Sequence, residues 1–132
     1  MGYDSFKQIS MSEESFEQLA GVLRSKCMRV LKIKPEIPLA IADGELDENN
    51  RDAKCYVQCI METLKIMDKK GKITYLKSIQ DTYIPDDWKE SFGNAYKMCV
   101  AVANNAKQSD KCESAYIWWK CYYDNNPDYF FP

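Results

Sequence analysis

Apolar residues return every three to four positions along most of the chain, and the polar residues between them carry the marks of helix starts and stops. Ser12-Glu13-Glu14-Ser15 offers a cap and first-turn carboxylates, after which Phe16, Leu19, Ala20, Leu23, Cys27 and Val30 recur on one face of a first helix. Residues 34–50 are interrupted by Pro35, Pro38 and Gly44, which allows at most one short helix, with Pro38 near its first turn and Gly44 just past its end. At 100° per residue, residues 51–67 predict a helix with a broad apolar wall of Tyr56, Met67, Ile60, Ala53, Leu64, Val57 and Met61. Lys54, Lys65, Gln58, Arg51 and Glu62 form its narrow wet strip, and Cys55, Ile66 and Cys59 form a separate edge. Such a helix belongs in the middle of a fold. Lys69 and Lys70 suit its negative end, and Gly71 is its expected stop.

Beyond that stop, Ile73, Leu76 and Ile79 predict a short amphipathic helix, closed by Ile84-Pro85. Asp86 or Asp87 is expected to cap a longer one, Asp87 with Glu90 resembling a capping box, with an inner stripe of Trp88, Phe92, Ala95, Tyr96, Cys99, Val102 and Ala103. After the polar break at 104–109, Asp110 caps a last helix. Cys112, Ala115, Tyr116, Trp119, Tyr122 and Tyr123 share one side of it, and Cys121 points the other way. No β-hairpin signal, internal repeat or low-complexity segment stands out. The expected fold class is therefore all-α, with about six helices.

A chain of 132 residues, 45% hydrophobic and 29% charged, is one ordinary domain, long enough to bury roughly two thirds of its unfolded surface. No run approaches the ~18 apolar residues of a membrane span. A net charge of -2 gives no basic stripe for nucleic acid. The absence of histidine is the most restrictive datum. It removes the usual general base, the commonest metal ligand and the ordinary near-neutral titrating group, so triads, Cys-His nucleophiles and His-ligated zinc are excluded. The carboxylates are scattered at helix starts and in polar loops, where capping or solvation accounts for them. No catalytic residues, metal or cofactor are expected.

Six cysteines, at 27, 55, 59, 99, 112 and 121, favour a disulfide framework and hence a secreted protein. The bland alternative is reduced thiols. A Cys-only zinc site is a third possibility, but Cys55-x3-Cys59 followed by a long gap lacks the paired spacing such sites use. The Met1-Gly2-Tyr3-Asp4 opening shows no apolar signal region, which suits either a mature form behind an added Met or a cytosolic protein, and the cysteine count favours the former. Cys112 and Cys121 lie on opposite sides of one helix, roughly 13 Å apart along it, and Cys55 and Cys59 are poorly oriented i,i+4 neighbours. Excluding both pairs still leaves ten of the fifteen connectivities open.

The order Cys27-x27-Cys55-x3-Cys59-x39-Cys99-x12-Cys112-x8-Cys121 on an all-helical domain of this size resembles the insect odorant-binding and pheromone-binding protein family. The strings Lys54-Cys55-Tyr56-Val57-Gln58-Cys59, Asp68-Lys69-Lys70-Gly71-Lys72-Ile73 and Asn126-Pro127-Asp128-Tyr129-Phe130-Phe131-Pro132 add to the likeness, which runs from the first helix to the last residues. The resemblance implies three interlocked bridges, Cys27 with Cys59, Cys55 with Cys112 and Cys99 with Cys121. It also implies a secreted, extracellular carrier that holds small hydrophobic, semi-volatile molecules in a helical cavity and moves them through fluid to an olfactory receptor. Such a carrier is a monomer or weak homodimer and not an enzyme. Residues 1–132 then form one domain with 125–132 as a C-terminal tail or lid, because Tyr129-Phe130-Phe131-Pro132 follows Pro127 and is too apolar to stay in water.

On this reading the expected ligand-binding residues are Val57, Ile60, Met61 and Leu64 of the central helix, Leu76 and Ile79 of the short one, and Trp88 and Phe92 of the fifth. Trp118, Trp119 and Tyr122 of the last helix and Tyr129, Phe130 and Phe131 of the tail complete the set. Hydroxyls such as those of Tyr122 and Thr63 are candidates for one hydrogen bond to a ligand. The competing reading is that these stripes simply pack together. Without histidine, any loss of affinity in acid is expected to come from Asp124, Asp128 and the Pro132 carboxyl group, near pH 4 to 5. The alternative function is a secreted lipid-interacting or host-directed effector on the same scaffold.

Overall fold

The computed structural model describes residues 12–132; the Met1–Asp4 opening lies outside them. Six helices follow in order: α1 Glu13–Leu31, α2 Glu36–Ala42, α3 Arg51–Thr63, α4 Lys77–Tyr83, α5 Asp86–Asn105 and α6 Lys111–Asn125. Their starts follow local side-chain chemistry. Ser12 accepts from the Ser15 amide, Asn50 from Ala53, and Asp110 from Cys112 and Glu113, so orphan N–H groups are satisfied at three of them. The Asp110 carboxyl is held below the usual carboxylate range by Arg51 and these amides. At α5 the expected Asp86 or Asp87 cap is not formed: Pro85 takes the cap position and both aspartates fall in the first turn, where they still favour the positive dipole end.

Helix α3 packs chiefly on α6 and α1, and α6 also packs on α5, which makes α3 and α6 the inner pair. Cys27–Cys59 ties α1 to α3, Cys55–Cys112 ties α3 to α6, and Cys99–Cys121 ties α5 to α6. This is the interlocked pairing that the family resemblance implied. Burial of Tyr56, Val57, Ile60 and Met61 confirms the apolar wall of α3.

Four expectations about the helices are corrected. Helix α3 ends at Thr63 instead of running to Met67: Lys65 adopts φ 67°, its N–H bonds the Glu62 carbonyl and the Ile66 N–H bonds that of Met61, which is a Schellman stop. Met67 and Ile73 then form one antiparallel bridge around a turn whose Gly71 has φ 91°, so neither belongs to a helix. Asp68 accepts from the Lys70 and Lys72 amides in that turn, which keeps its carboxyl below the usual range. The turn is clamped to α5, because Asn104 both donates to the Ile73 carbonyl and accepts from its N–H.

The second correction is Lys54, expected in the wet strip but only 8% exposed; α6 lies over it, and its ammonium meets Glu113 at 2.9 Å and the Tyr116 ring. Third, Val30 and Val102 are exposed. Val30 faces an open groove beyond the Cys27–Cys59 bridge, and Ala103, one turn on from Cys99, takes the inner position that Val102 was expected to share. Fourth, Tyr123 sits at the rim, half covered by stacking on Trp119.

Candidate functional site

An apolar cavity lies between α1, α3, α4, α5, α6 and the segment after α6. Helix α1 contributes Phe16, Leu19 and Leu23, and α3 with its Schellman stop contributes Ile60, Met61, Leu64 and Ile66. Ile79, Tyr83 and Ile84 come from α4 and its end, Phe92 from α5, Trp118 and Tyr122 from α6, and Phe130, Phe131 and Pro132 close the wall. No lining side chain is charged. The cavity is contracted, at about 40 Å³. That exceeds what one water needs but falls far below the several hundred Å³ of typical ligand pockets, so a ligand must spread the wall to enter.

The tail packs against the helices through specific anchors. Phe130 stacks against Trp88 at 4.9 Å and Phe92 at 5.6 Å and meets Phe16 edge-on. The Tyr122 hydroxyl donates to the Phe130 carbonyl at 2.9 Å, Trp119 Nε1–H donates to the Tyr129 hydroxyl, and that hydroxyl donates to the Ile41 carbonyl on α2. Arg24 Nε–H reaches the Pro132 oxygen at 2.8 Å, and Ser91 donates to Asp128 at 2.7 Å. Burial drives the Tyr122 and Tyr129 phenols well above their usual pKa, and pushes Tyr56 up to about 12 against the pull of Arg24, so these groups stay neutral. Asp124 differs from expectation: it pairs with Lys120 on its own helix and holds no tail residue.

Nine of the expected ligand-binding residues line the cavity: Ile60, Met61, Leu64, Ile79, Phe92, Trp118, Tyr122, Phe130 and Phe131. Five do not. Val57 is buried in the α3 core, Trp88 lies behind Phe130, and Trp119 and Tyr129 bond to one another behind the wall. Leu76 precedes α4 and faces an outer groove. Helical spacing put four of these on apolar faces and the apolar run of the tail supplied Tyr129, but a face is wider than the arc that meets the cavity. The residues of α1 were legible as an inner stripe yet were not assigned to the site, and Ile66 was hidden by the expectation that α3 continued. Of the two candidate hydroxyls, Thr63 lies outside the cavity with its proton on the Cys59 carbonyl, and that of Tyr122 is committed to Phe130.

A solvent-open groove of about 400 Å³ abuts the cavity between α1, α4 and the end of α3. Leu19, Leu23, Leu64, Ile79 and Tyr83 line both spaces, so these side chains are the partition between solvent and the interior. Among the described residues no group of three His, Cys, Asp or Glu side chains is gathered as a metal site would need, and all six cysteines are in disulfides. No helix of the described residues is long and apolar enough to cross a membrane.

Known proteins share this fold. The solved structure of odorant binding protein 4 from Chrysopa pallens is 30% identical, covers 92% of this chain and 99% of its own, and superposes with a TM-score of 0.77. Odorant binding protein 5 of Apis mellifera is 29% identical over 94% of this chain and 99% of its own, with a TM-score of 0.71. General odorant-binding protein 19a of Drosophila melanogaster is 24% identical over 128 residues, 95% of this chain and 86% of the relative. The family model described as PBP/GOBP family matches residues 9–125. A match over that span, well over half of the chain, means that this chain belongs to the PBP/GOBP family.

Proposed function

We propose that this protein is a secreted carrier that takes up one small hydrophobic molecule in the cavity, holds it without chemical change and delivers it through aqueous fluid to a receptor. The observation that carries the reading is the apolar cavity, one wall of which is the chain's own tail. Well-packed cores leave few voids beyond the size of a water, so a space that persists amid Met and aromatic side chains, between cross-linked helices, is poised to widen around an apolar guest. Odorant Binding Protein 7 of Anopheles gambiae, 25% identical with a TM-score of 0.62, was solved in complex with an azo compound, which supports a guest of this kind. The partition of Leu19, Leu23, Leu64, Ile79 and Tyr83 is the route in, since only side chains separate the groove from the cavity there.

The test is a titration with N-phenylnaphthylamine followed by displacement with a panel of neutral volatiles. Saturable one-to-one binding, competed by some members of the panel, is expected. Absence of saturable binding by the folded, oxidised protein overturns the reading, and leakage of vesicles at the same concentrations favours the membrane-directed alternative.

A further inference from the structure

A second concave surface lies apart from the cavity. A groove of about 590 Å³ opens beyond the Cys27–Cys59 bridge, between the C-terminal part of α1, the end of α3 and the turn that follows it, and it shares no lining residue with the cavity. Its size falls within the range of small-molecule sites. Val30, Leu31, Cys59 and Met67 supply its apolar lining, and Val30 leaves 59% of its surface uncovered there. The charged lining is one-sided. Lys26, Lys65 and Lys69 line the groove, and among the described residues none of the three pairs with a carboxylate, whereas Lys77, Lys89, Lys111 and Lys120 each hold one. Lys26 donates to the Thr63 hydroxyl at 2.9 Å. Of the two acids in the lining, Glu62 is claimed by Lys111 at 2.9 Å and by the Gln58 amide, and Asp68 Oδ1 by the Lys70 and Lys72 amides. The groove therefore keeps an excess of positive charge beside an apolar surface.

We propose that this groove is a second binding site, for a free single-chain amphiphile with one anionic head group. The chain lies along Val30, Leu31 and Met67, and the head, a carboxylate, sulfate or phosphate monoester, lies among Lys26, Lys65 and Lys69. Neither half of such a ligand suffices alone. An exposed ammonium attracts an anion weakly in water and salt screens the attraction, so inorganic sulfate is not retained. An open groove covers a chain on one side, so a neutral amphiphile gains less apolar burial than a closed pocket would give it. On one molecule the two contributions add. The inference goes beyond the carrier reading and does not rest on it, because the two spaces have separate walls.

The experiment titrates the full-length, oxidised protein with octyl sulfate, octyl glucoside and inorganic sulfate, each below any micelle concentration, in the presence and absence of N-phenylnaphthylamine. Heteronuclear NMR reads the site directly on the wild type. Octyl sulfate is expected to shift the Val30, Leu31, Lys65 and Lys69 amides saturably without displacing the dye, and to bind at least about 5-fold more tightly than octyl glucoside, while sulfate alone leaves the amides unmoved. Raising the ionic strength from about 0.01 to 0.15 M should narrow the gap between the two octyl ligands. Val30→Asp and the double variant Lys26→Gln/Lys69→Gln, all at exposed positions outside the cavity wall, should each weaken octyl sulfate about tenfold with dye affinity unchanged. Shifts confined to cavity residues with loss of dye, equal affinity for the two octyl ligands, or undiminished octyl sulfate binding in both folded variants overturns the inference. Binding to anionic phosphatidylserine vesicles without binding to octyl sulfate also overturns it, in favour of a membrane surface.

Discussion

The Tyr96 hydroxyl joins two parts of the chain that no helix connects. It accepts from the Leu76 N–H at 2.8 Å and donates to the Thr74 carbonyl, satisfying backbone groups just before α4 from a side chain on α5. Its ring is fully buried among Tyr75, Phe92 and Trp118, so Tyr96→Phe keeps the packing and deletes only the oxygen. The expected loss is roughly 1 to 2 kcal/mol, read from the midpoint shift in urea at unchanged slope, because two backbone groups lose their partner in a partly dry site. A shift below a few tenths would mean that water replaces the hydroxyl at no cost. Tyr96 was legible as an inner residue of α5 from helical spacing, but its polar role was not, since nothing in a sequence places residues 74 and 76 beside it. Lys65 shows the same limit: the left-handed stop of α3 is usually marked by Gly, and here a lysine adopts φ 67° while Ile66 and Met67 extend the apolar pattern beyond the true end.

At the scale of elements, the bridges sort by the loop each closes. Cys55–Cys112 spans 57 residues and joins the inner pair α3 and α6, whereas Cys99–Cys121 spans 22 and joins α5 to α6. Chain entropy assigns roughly 4 kcal/mol to the longer closure and roughly 3.5 to the shorter. Replacing Cys55 and Cys112 by alanine is therefore expected to lower stability at least as much as replacing Cys99 and Cys121, measured by thermal unfolding of the two double variants. The opposite order would show that native-state contacts, not the unfolded chain, decide the difference. Helices were the legible level of this fold, because each carries a periodic stripe, and all three side-chain caps observed, Ser12, Asn50 and Asp110, are residue types that favour that position. The link between α3 and α4 was not legible as it stands: its bridge depends on Asn104 of α5, 31 residues from Ile73. Cysteine spacing identified the family and through it the pairing, while helix geometry by itself left ten pairings open.

The whole molecule rests on neutral buried phenols and on a tail packed against the helices, and each sets a different condition for failure. Tyr56 and Tyr96 have folded pKa values pushed up to about 12 by burial, against an ordinary value of 10.0, and Tyr122 and Tyr129 are raised further. A raised folded pKa means stability that is complete below pH 10 and lost as pH climbs through the folded value. Cooperative unfolding between pH 10 and 12 is expected, with the buried phenols ionising in step with loss of helical signal; their smooth titration in a folded protein would contradict the burial described above.

The tail supplies the sharper test because it contributes wall without contributing helix. Residues 126–132 lie outside α6, so deleting Tyr129–Pro132 leaves every helix its own hydrogen bonds. The deletion nevertheless strips Phe130, Phe131 and Pro132 from the cavity and removes the partners of Tyr122, Trp119 and Arg24. Burying an aromatic side chain of this kind contributes roughly 1.5 to 3 kcal/mol, so thermal stability should fall by several degrees while far-ultraviolet circular dichroism at room temperature stays near that of the full chain. Affinity for N-phenylnaphthylamine should fall at least about tenfold, since a bound dye would face solvent where Phe130 and Phe131 now lie. Phe130→Ala, which keeps the Tyr129 and Pro132 anchors, should lose less affinity than the deletion and place the loss at the stacked ring. Undiminished affinity in the folded, shortened protein would reject the tail as part of the binding wall and leave it as a cover over an ordinary core.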